Sequence, residues 1–270
     1  MLKVTQMEAD KQPAFAEVTV KAKSSTGTGK TGPSHSSKPG LKPEAKPTPK
    51  PEAKPETKPE AKPESKLSNH DLNKAGHYSY LTGYPDGTFA PNKGMTRAEV
   101  ASLFTRLLKD RPIKGQSYKA GLSDVHAGDW YADAVGYAVQ KGIVSGYPDG
   151  TFKPNQAISR AEFAAIAARF AEMTGDQSPA FSDLAPNHWS YQAIRQVAAN
   201  GWLSGYPDGA FRPDQAITRA EVATISNRML NRTPDLDRLK AQKDKLPHFS
   251  DVGPGDWFYS AIMEASFDRP

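Results

Sequence analysis

The chain has 270 residues and no cysteine, and its 35 Lys and Arg against 30 Asp and Glu give a formal net charge of +5. Residues 1–66 hold 13 basic and 8 acidic groups, which is the whole +5, so residues 67–270 hold 22 of each and are neutral. A nucleic-acid binder concentrates positive charge on its folded face, so that class is set aside. Disulfide frameworks and thiolate metal sites are excluded by the missing cysteine. A membrane-spanning helix is excluded because no run approaches about 18 apolar residues.

In chain order, the first ten residues lack the apolar stretch of a secretory signal. If secreted, the chain is expected to be the C-terminal part of a longer one. Residues 1–23 read as the remnant strand of an upstream β-domain or as a tail, on the weak alternation of residues 13–23. Residues 24–66 read as a linker whose eight-residue period restarts at Pro43, Pro51 and Pro59. Proline every four residues or so breaks a helix and favours the extended polyproline form. Too little of this segment is apolar to order a core. A disordered, semi-rigid Pro/Lys/Glu-rich spacer is expected.

Beyond it the chain repeats itself, and fixed self-similarity of this length signals a repeat architecture. Gly83-Tyr84-Pro85-Asp86-Gly87-Thr88-Phe89 returns at Gly146 to Phe152, and as Gly-Tyr-Pro-Asp-Gly-Ala-Phe at Gly205 to Phe211. Each copy is followed by Thr-Arg-Ala-Glu or Ser-Arg-Ala-Glu: Thr96 to Glu99, Ser159 to Glu162, Thr218 to Glu221. Tyr-Pro-Asp-Gly has the residue order of a type I turn, so Asp86, Asp149 and Asp208 are turn residues and not calcium ligands. Apolar series at helical spacing follow each Arg-Ala-Glu, as in Val100, Leu103, Phe104 and Leu107. A second series follows Trp130 and Trp189 and ends at Gly142 and Gly201, the place for a left-handed cap. Each repeat is therefore helix, turn-rich loop, helix.

Repeat 1 lacks its aromatic first half, and that half stands at the other end of the chain. Phe249-Ser250-Asp251-Val252 and Trp257 match the second copy at an offset of 127. The expected domains are the second half of repeat 1 at 67–115, repeat 2 at 116–176 and repeat 3 at 177–234. Residues 235–270 then form a connector and the segment that completes repeat 1. The fold class is mainly α, three helix-loop-helix repeats closed into a pseudo-three-fold bundle. In it the C-terminal helix is expected to dock beside repeat 1 and cover Val100, Leu103 and Phe104.

Ser or Thr followed three residues later by Glu is a capping box. Arg97, Arg160 and Arg219 are not explained by it, because a cation in the first helical turn opposes the helix dipole. Beside free first-turn amides each could clamp an anionic oxygen pair, or it could form an internal salt bridge to a neighbour such as Asp124. Trp130, Trp189 and Trp257 are either core anchors or a sugar-stacking face, with Tyr84, Tyr147 and Tyr206 at the same groove. No Ser/His/Asp set or metal-spaced His pair stands out, and His126, His188 and His248 read as loop residues.

Residues 68–270 resemble a set of S-layer homology domains, on Ser-Asp-Val with Trp-Tyr, Gly-Tyr-Pro-Asp-Gly-Thr-Phe and Thr-Arg-Ala-Glu, in order and in triplicate. The resemblance implies a pseudo-trimeric helical spindle that anchors an exoprotein non-covalently at the bacterial cell wall, outside the cell. It implies that Arg97, Arg160 and Arg219 clamp the ketal carboxylate of a pyruvylated secondary wall polysaccharide. Asp124, Asp183 and Asp251 with Trp130, Trp189 and Trp257 would line the inter-repeat grooves. Copy three departs at Leu184 and Asn187-His188-Trp189, so some grooves are expected to be weak or silent. No enzyme, cofactor, metal, membrane or nucleic-acid partner is implied, and a monomer is expected. The rivals are an S-layer lattice protein and the anchor of an enzyme or scaffold domain lost upstream.

Overall fold

Three of the helices begin at the Arg-Ala-Glu segments because each segment carries its own cap. In the computed structural model, which describes residues 67–172 and 179–268, these helices are α1 (Arg97–Leu107), α3 (Arg160–Ala167) and α5 (Arg219–Met229). The strand expected within residues 1–23 and the linker at 24–66 lie outside the described residues. Thr96, Ser159 and Thr218 each accept the backbone N–H of the Glu three residues on, and that Glu carboxylate accepts the capping residue's own N–H. All three capping boxes are formed. The first-half helices are α2 (Ala132–Gln140), α4 (Tyr191–Ala199) and α7 (Tyr259–Ser266), and a short α6 (Leu236–Ala241) lies in the connector.

Gly142 and Gly201, at φ 70° and 69°, end α2 and α4 as expected. Ile143 and Trp202 donate back to Ala138 and Val197, and the glycines to Val139 and Ala198. That is the double-bonded left-handed cap, which only glycine adopts without steric cost.

The N-terminus of each Arg-Ala-Glu helix plugs into the loop of the next repeat. Arg97 and Ala98 donate their backbone N–H to Gln156 and Pro154; Arg160 and Ala161 donate to Gln215 and Pro213; Arg219 and Ala220 donate to Lys93 and Pro91. The order runs one to two, two to three and three back to one, so the bundle is cyclic. Around its pseudo-three-fold axis Met95 donates to Ile217, Ile217 to Ile158 and Ile158 to Met95, at 2.9–3.0 Å. Fully buried Phe89, Phe152 and Phe211, one from each loop, belong to the shared core.

The permuted closure is present. Ser250 donates to Gly87 at 3.0 Å, as Ser123 does to Gly150 and Ser182 to Gly209. Phe249 lies against Gly83 so closely that a Cβ there would come within 2.5 Å of its ring, the counterpart of Phe181 on Gly205. One expectation is corrected: α7 packs against α5, as α2 packs on α1 and α4 on α3. Asn227 of α5 donates its side-chain amide to Ala261 of α7 at 3.0 Å. Residues 249–252 therefore complete the loop of repeat 1 while α7 covers repeat 3, and Phe104 packs on Phe163 and Phe170. The reason is the cyclic offset: a first-half helix lies on the preceding repeat, and repeat 3 precedes repeat 1.

Candidate functional site

Each motif arginine is buried, 3–5% exposed, and reaches into the next repeat. Arg97 donates Nε to Phe152 O at 2.8 Å, Nη2 to Ser145 O at 3.0 Å and Nη1 to Glu162 Oε1 at 3.3 Å. Arg160 does the same with Phe211 O, Ser204 O and Glu221 Oε1 at 2.9, 3.0 and 2.7 Å. Arg219 donates to Phe89 O at 2.8 Å and Thr82 O at 2.7 Å. Every guanidinium lies between a Tyr and a Phe ring, 4.6–4.8 Å from each centroid: Tyr147 and Phe152, Tyr206 and Phe211, Tyr84 and Phe89. The rings and carbonyls compensate a desolvated cation that the helix dipole alone would disfavour.

For Arg97 and Arg160 the internal partner is therefore the capping Glu of the next repeat, and Asp124 bonds to the Phe152 and Lys153 amides instead. The first-turn amides are not free either, since carbonyls of the next loop and the capping hydroxyl take them. An anion cannot bind there by the helix N-terminus alone. Two N–H groups of the five on Arg97 and Arg160 remain beyond the bonds above, and both guanidinium groups line clefts.

Asp124, Asp183 and Asp251 do a different task. Their two oxygens accept the backbone N–H groups of Phe152 and Lys153, of Phe211 and Arg212, and of Phe89 and Ala90, at 2.6–2.8 Å. Lys153, Arg212 and Ala90 have φ of 55°, 58° and 54°, a left-handed conformation that costs a residue with a side chain roughly 1–2 kcal/mol. The carboxylate holds that strained turn. These aspartates do not line the three clefts described next. Asp86 and Asp149 accept both donors of the Thr two residues on, which lowers their pKa, and Gly87 closes the turn onto Tyr84 O.

Three clefts run between neighbouring repeats at equivalent places. The first, about 300 Å³, is lined by residues that include Arg97, Ser145, Glu162, Ile166, Arg169 and Trp189. The second, about 250 Å³, has Arg219, Thr82, Tyr84, Glu99, Arg106 and Trp130. The third, about 20 Å³, has Arg160, Ser204, Glu221, Thr224, Ile225 and Arg228. Trp130, Trp189 and Trp257 are 68%, 44% and 38% exposed, so none is a core anchor. Trp130 and Trp189 stand at the rims of the second and first clefts. Tyr84, Tyr147 and Tyr206 donate their hydroxyls to Glu99, Glu162 and Glu221 at 3.2, 3.2 and 2.9 Å. Of the three only Tyr84 lines a cleft; Tyr147 and Tyr206 cover the arginines. Burial pushes the Tyr206 phenol up to about 12.

A second arginine in each cleft was not singled out from the sequence. Arg106, Arg169 and Arg228 stand nine residues after each motif arginine, and that constant spacing was the signal. Each donates to a main-chain carbonyl, of Tyr80, Gly142 and Trp202 respectively. Partial desolvation lowers the pKa of all three, and for Arg106 the like charges of Arg111 and Arg219 lower it further. Paired cations facing one cleft under an exposed indole suit an anionic ligand with an apolar ring face. Among the described residues no group of three or more His, Asp or Glu could hold a metal ion.

The S-layer homology domain family profile matches residues 77–101, 121–164 and 180–223. The chain carries three S-layer homology repeats. The matched stretches hold the three loops and all three Arg-Ala-Glu segments, whereas the C-terminal half-repeat at 249–266 is placed by the contacts above. Cell surface glycoprotein 1 of Acetivibrio thermocellus is 37% identical over 205 residues, 72% of this chain and 8% of that protein. The cellulosome-anchoring protein of the same organism is 36% identical over 195 residues, 70% of this chain and 42% of that protein. An S-layer protein of Bacillus licheniformis is 38% identical over 104 residues, 38% of this chain and 12% of that protein. The chain thus spans less than half the length of these relatives.

Proposed function

We propose that the repeats are a non-enzymatic anchor, holding a secreted protein non-covalently at the bacterial cell surface by gripping an acidic wall polysaccharide in the inter-repeat clefts. The observation that carries this is the exposed tryptophan at the rim of a cleft that has a buried motif arginine on its floor and a second arginine in its lining. The indole would stack on one sugar face. The remaining N–H groups of Arg97, Arg160 and Arg219, with Arg106, Arg169 and Arg228, would take a carboxylate such as a pyruvate ketal. Tyr84, Tyr147 and Tyr206 keep the motif guanidinium groups oriented, and Asp124, Asp183 and Asp251 act from behind by holding the loops that form the cleft walls. The names of the relatives, a cellulosome-anchoring protein and S-layer proteins among them, support this reading. One chain closes the ring alone, which favours a monomer.

The test is co-sedimentation with purified wall that carries its polymer, before and after chemical removal of pyruvate. The protein is expected in the pellet with intact wall and in the supernatant after pyruvate is removed. Equal pelleting in both cases removes the carboxylate from the account, and no pelleting in either overturns the anchor.

A further inference from the structure

Residues 68–81 stand where repeat 1 would carry its own first half, form no such helix, and yet touch all three repeats. Ser68 caps a single 3₁₀ turn, Asn69–Asp71. That turn packs against another, Ala168–Phe170, at the end of α3 in repeat 2. Leu72 is fully buried and pairs with Leu108 at the end of α1 in repeat 1. Asn73 donates to Leu107 O at 2.8 Å there, and Lys109 to Asp71 O at 2.9 Å. Buried Tyr80 places its hydroxyl 2.5 Å from Asn227 Oδ1 and 3.2 Å from Ala223 O, both in α5 of repeat 3.

The same stretch grips the C-terminal segment. His77 Nε2 meets the buried Glu264 carboxylate on α7, and Asp268 accepts the Ser79 N–H at 2.5 Å. Tyr80 and Leu81 donate to Ala265 O at 2.9 and 3.2 Å, as Ile143 and Val144 donate to Ala138 O at 2.8 and 3.4 Å. In repeat 2 that passage from first-half helix to loop is one continuous chain. In repeat 1 it is made by hydrogen bonds alone, between the two ends of the folded part. Residue 67, where the preceding chain enters, lies directly before it.

We propose that residues 68–81 are a strap that takes the pull of the chain before them. Tension entering at residue 67 reaches the neighbouring joint, where Arg219 holds Thr82 O, only after Leu72, His77 and Tyr80 have let go. The source of that pull rests on the anchoring function proposed above; the strap itself does not. Each contact that must break before the joint is loaded adds to the barrier against forced unfolding, and contacts that break later do not.

The experiment holds the full chain at constant force in magnetic tweezers, between its N-terminus and a single cysteine introduced by Asn187→Cys. Asn187 is exposed and the chain has no cysteine of its own. The time until the repeats unfold is read. Tyr80→Phe is expected to shorten it about tenfold, the factor for one lost buried hydrogen bond. Tyr137→Phe removes another buried hydroxyl, bonded to Asp110 O off the strap, and is expected to leave the time unchanged. Urea melts confirm that both variants fold. A Tyr80→Phe lifetime equal to the parent's, or an equal fall in both variants, overturns the strap. No glycan is present, so this result stands apart from wall sedimentation, whose failure would remove the anchor and leave the strap in place.

Discussion

The floor of each cleft and its rim are built on opposite principles. On the floor, Arg97, Arg160 and Arg219 are almost fully buried and tied to main-chain carbonyls of the next repeat. At the rim, Trp130 and Trp189 are 68% and 44% exposed and make ring contacts to Tyr131 and to His188. The same repeated motif set thus divides its labour: the arginines join repeats, and the tryptophans are left outside. An arginine in a binding motif is not thereby a free ligand group. Its removal tests the joint before it tests the binding.

The harshest way to break the floor is to take away its seam. Truncation after Pro247 removes Asp251, which holds the Phe89–Ala90 turn that supplies a carbonyl to Arg219. It also removes buried Phe258, Ile262 and Met263, each roughly 1.5–3 kcal/mol. A domain stable by about 5–15 kcal/mol is expected to lose most of its margin. Calorimetry should show a steep fall in melting temperature, and a melt equal to the parent's would mean that the ring does not close through this segment.

Next in size is the floor itself. Arg160→Ala leaves Phe211 O, Ser204 O and the Glu221 carboxylate without their buried partner, and breaking a buried pair costs about 3–5 kcal/mol. Urea denaturation is expected to show that loss. A stable Arg160→Ala protein would make the arginine a ligand group and not a joint, reversing the comparison. Thr96→Ala removes one cap from α1 and should cost about 0.5–2 kcal/mol in the same measurement.

The rim should behave the other way. Trp130→Ala and Trp189→Ala are expected to leave urea midpoints almost unchanged, as exposed substitutions usually lie within about 0.5 kcal/mol. Each should nonetheless weaken wall binding severalfold in a sedimentation isotherm. Loss of stability without loss of binding would place these indoles with the floor. The smallest effect is expected from deleting residues 24–66. They carry most of the surplus positive charge, but beyond about 8 Å such charge is screened at physiological salt. Unchanged affinity is expected, and a salt-sensitive drop would show that the lysines hold the wall.

Much of the fold was legible because its signals are local. The capping boxes need only Thr or Ser and a Glu three residues apart, and the glycine caps need only Gly142 and Gly201 after an apolar series. Even the permutation could be read by matching Phe249 to Trp257 with the second copy. Of the cleft, the exposed tryptophans and the motif arginines were picked out, but their roles were not separated. Arg106, Arg169 and Arg228 were passed over although their spacing is constant.

What the sequence by itself determined is the set of parts: three capped helices, three turns and three half-repeats, each specified by short-range chemistry. Tertiary structure alone decided which part meets which. Arg97 finds carbonyls 48 and 55 residues away, Arg219 finds one 137 away, and Asp251 fastens amides 161 and 162 away. Main-chain carbonyls and amides occur at almost every position and carry no sequence label. A side chain that uses them leaves no pattern to read, and only the folded backbone shows whether its charge is already taken.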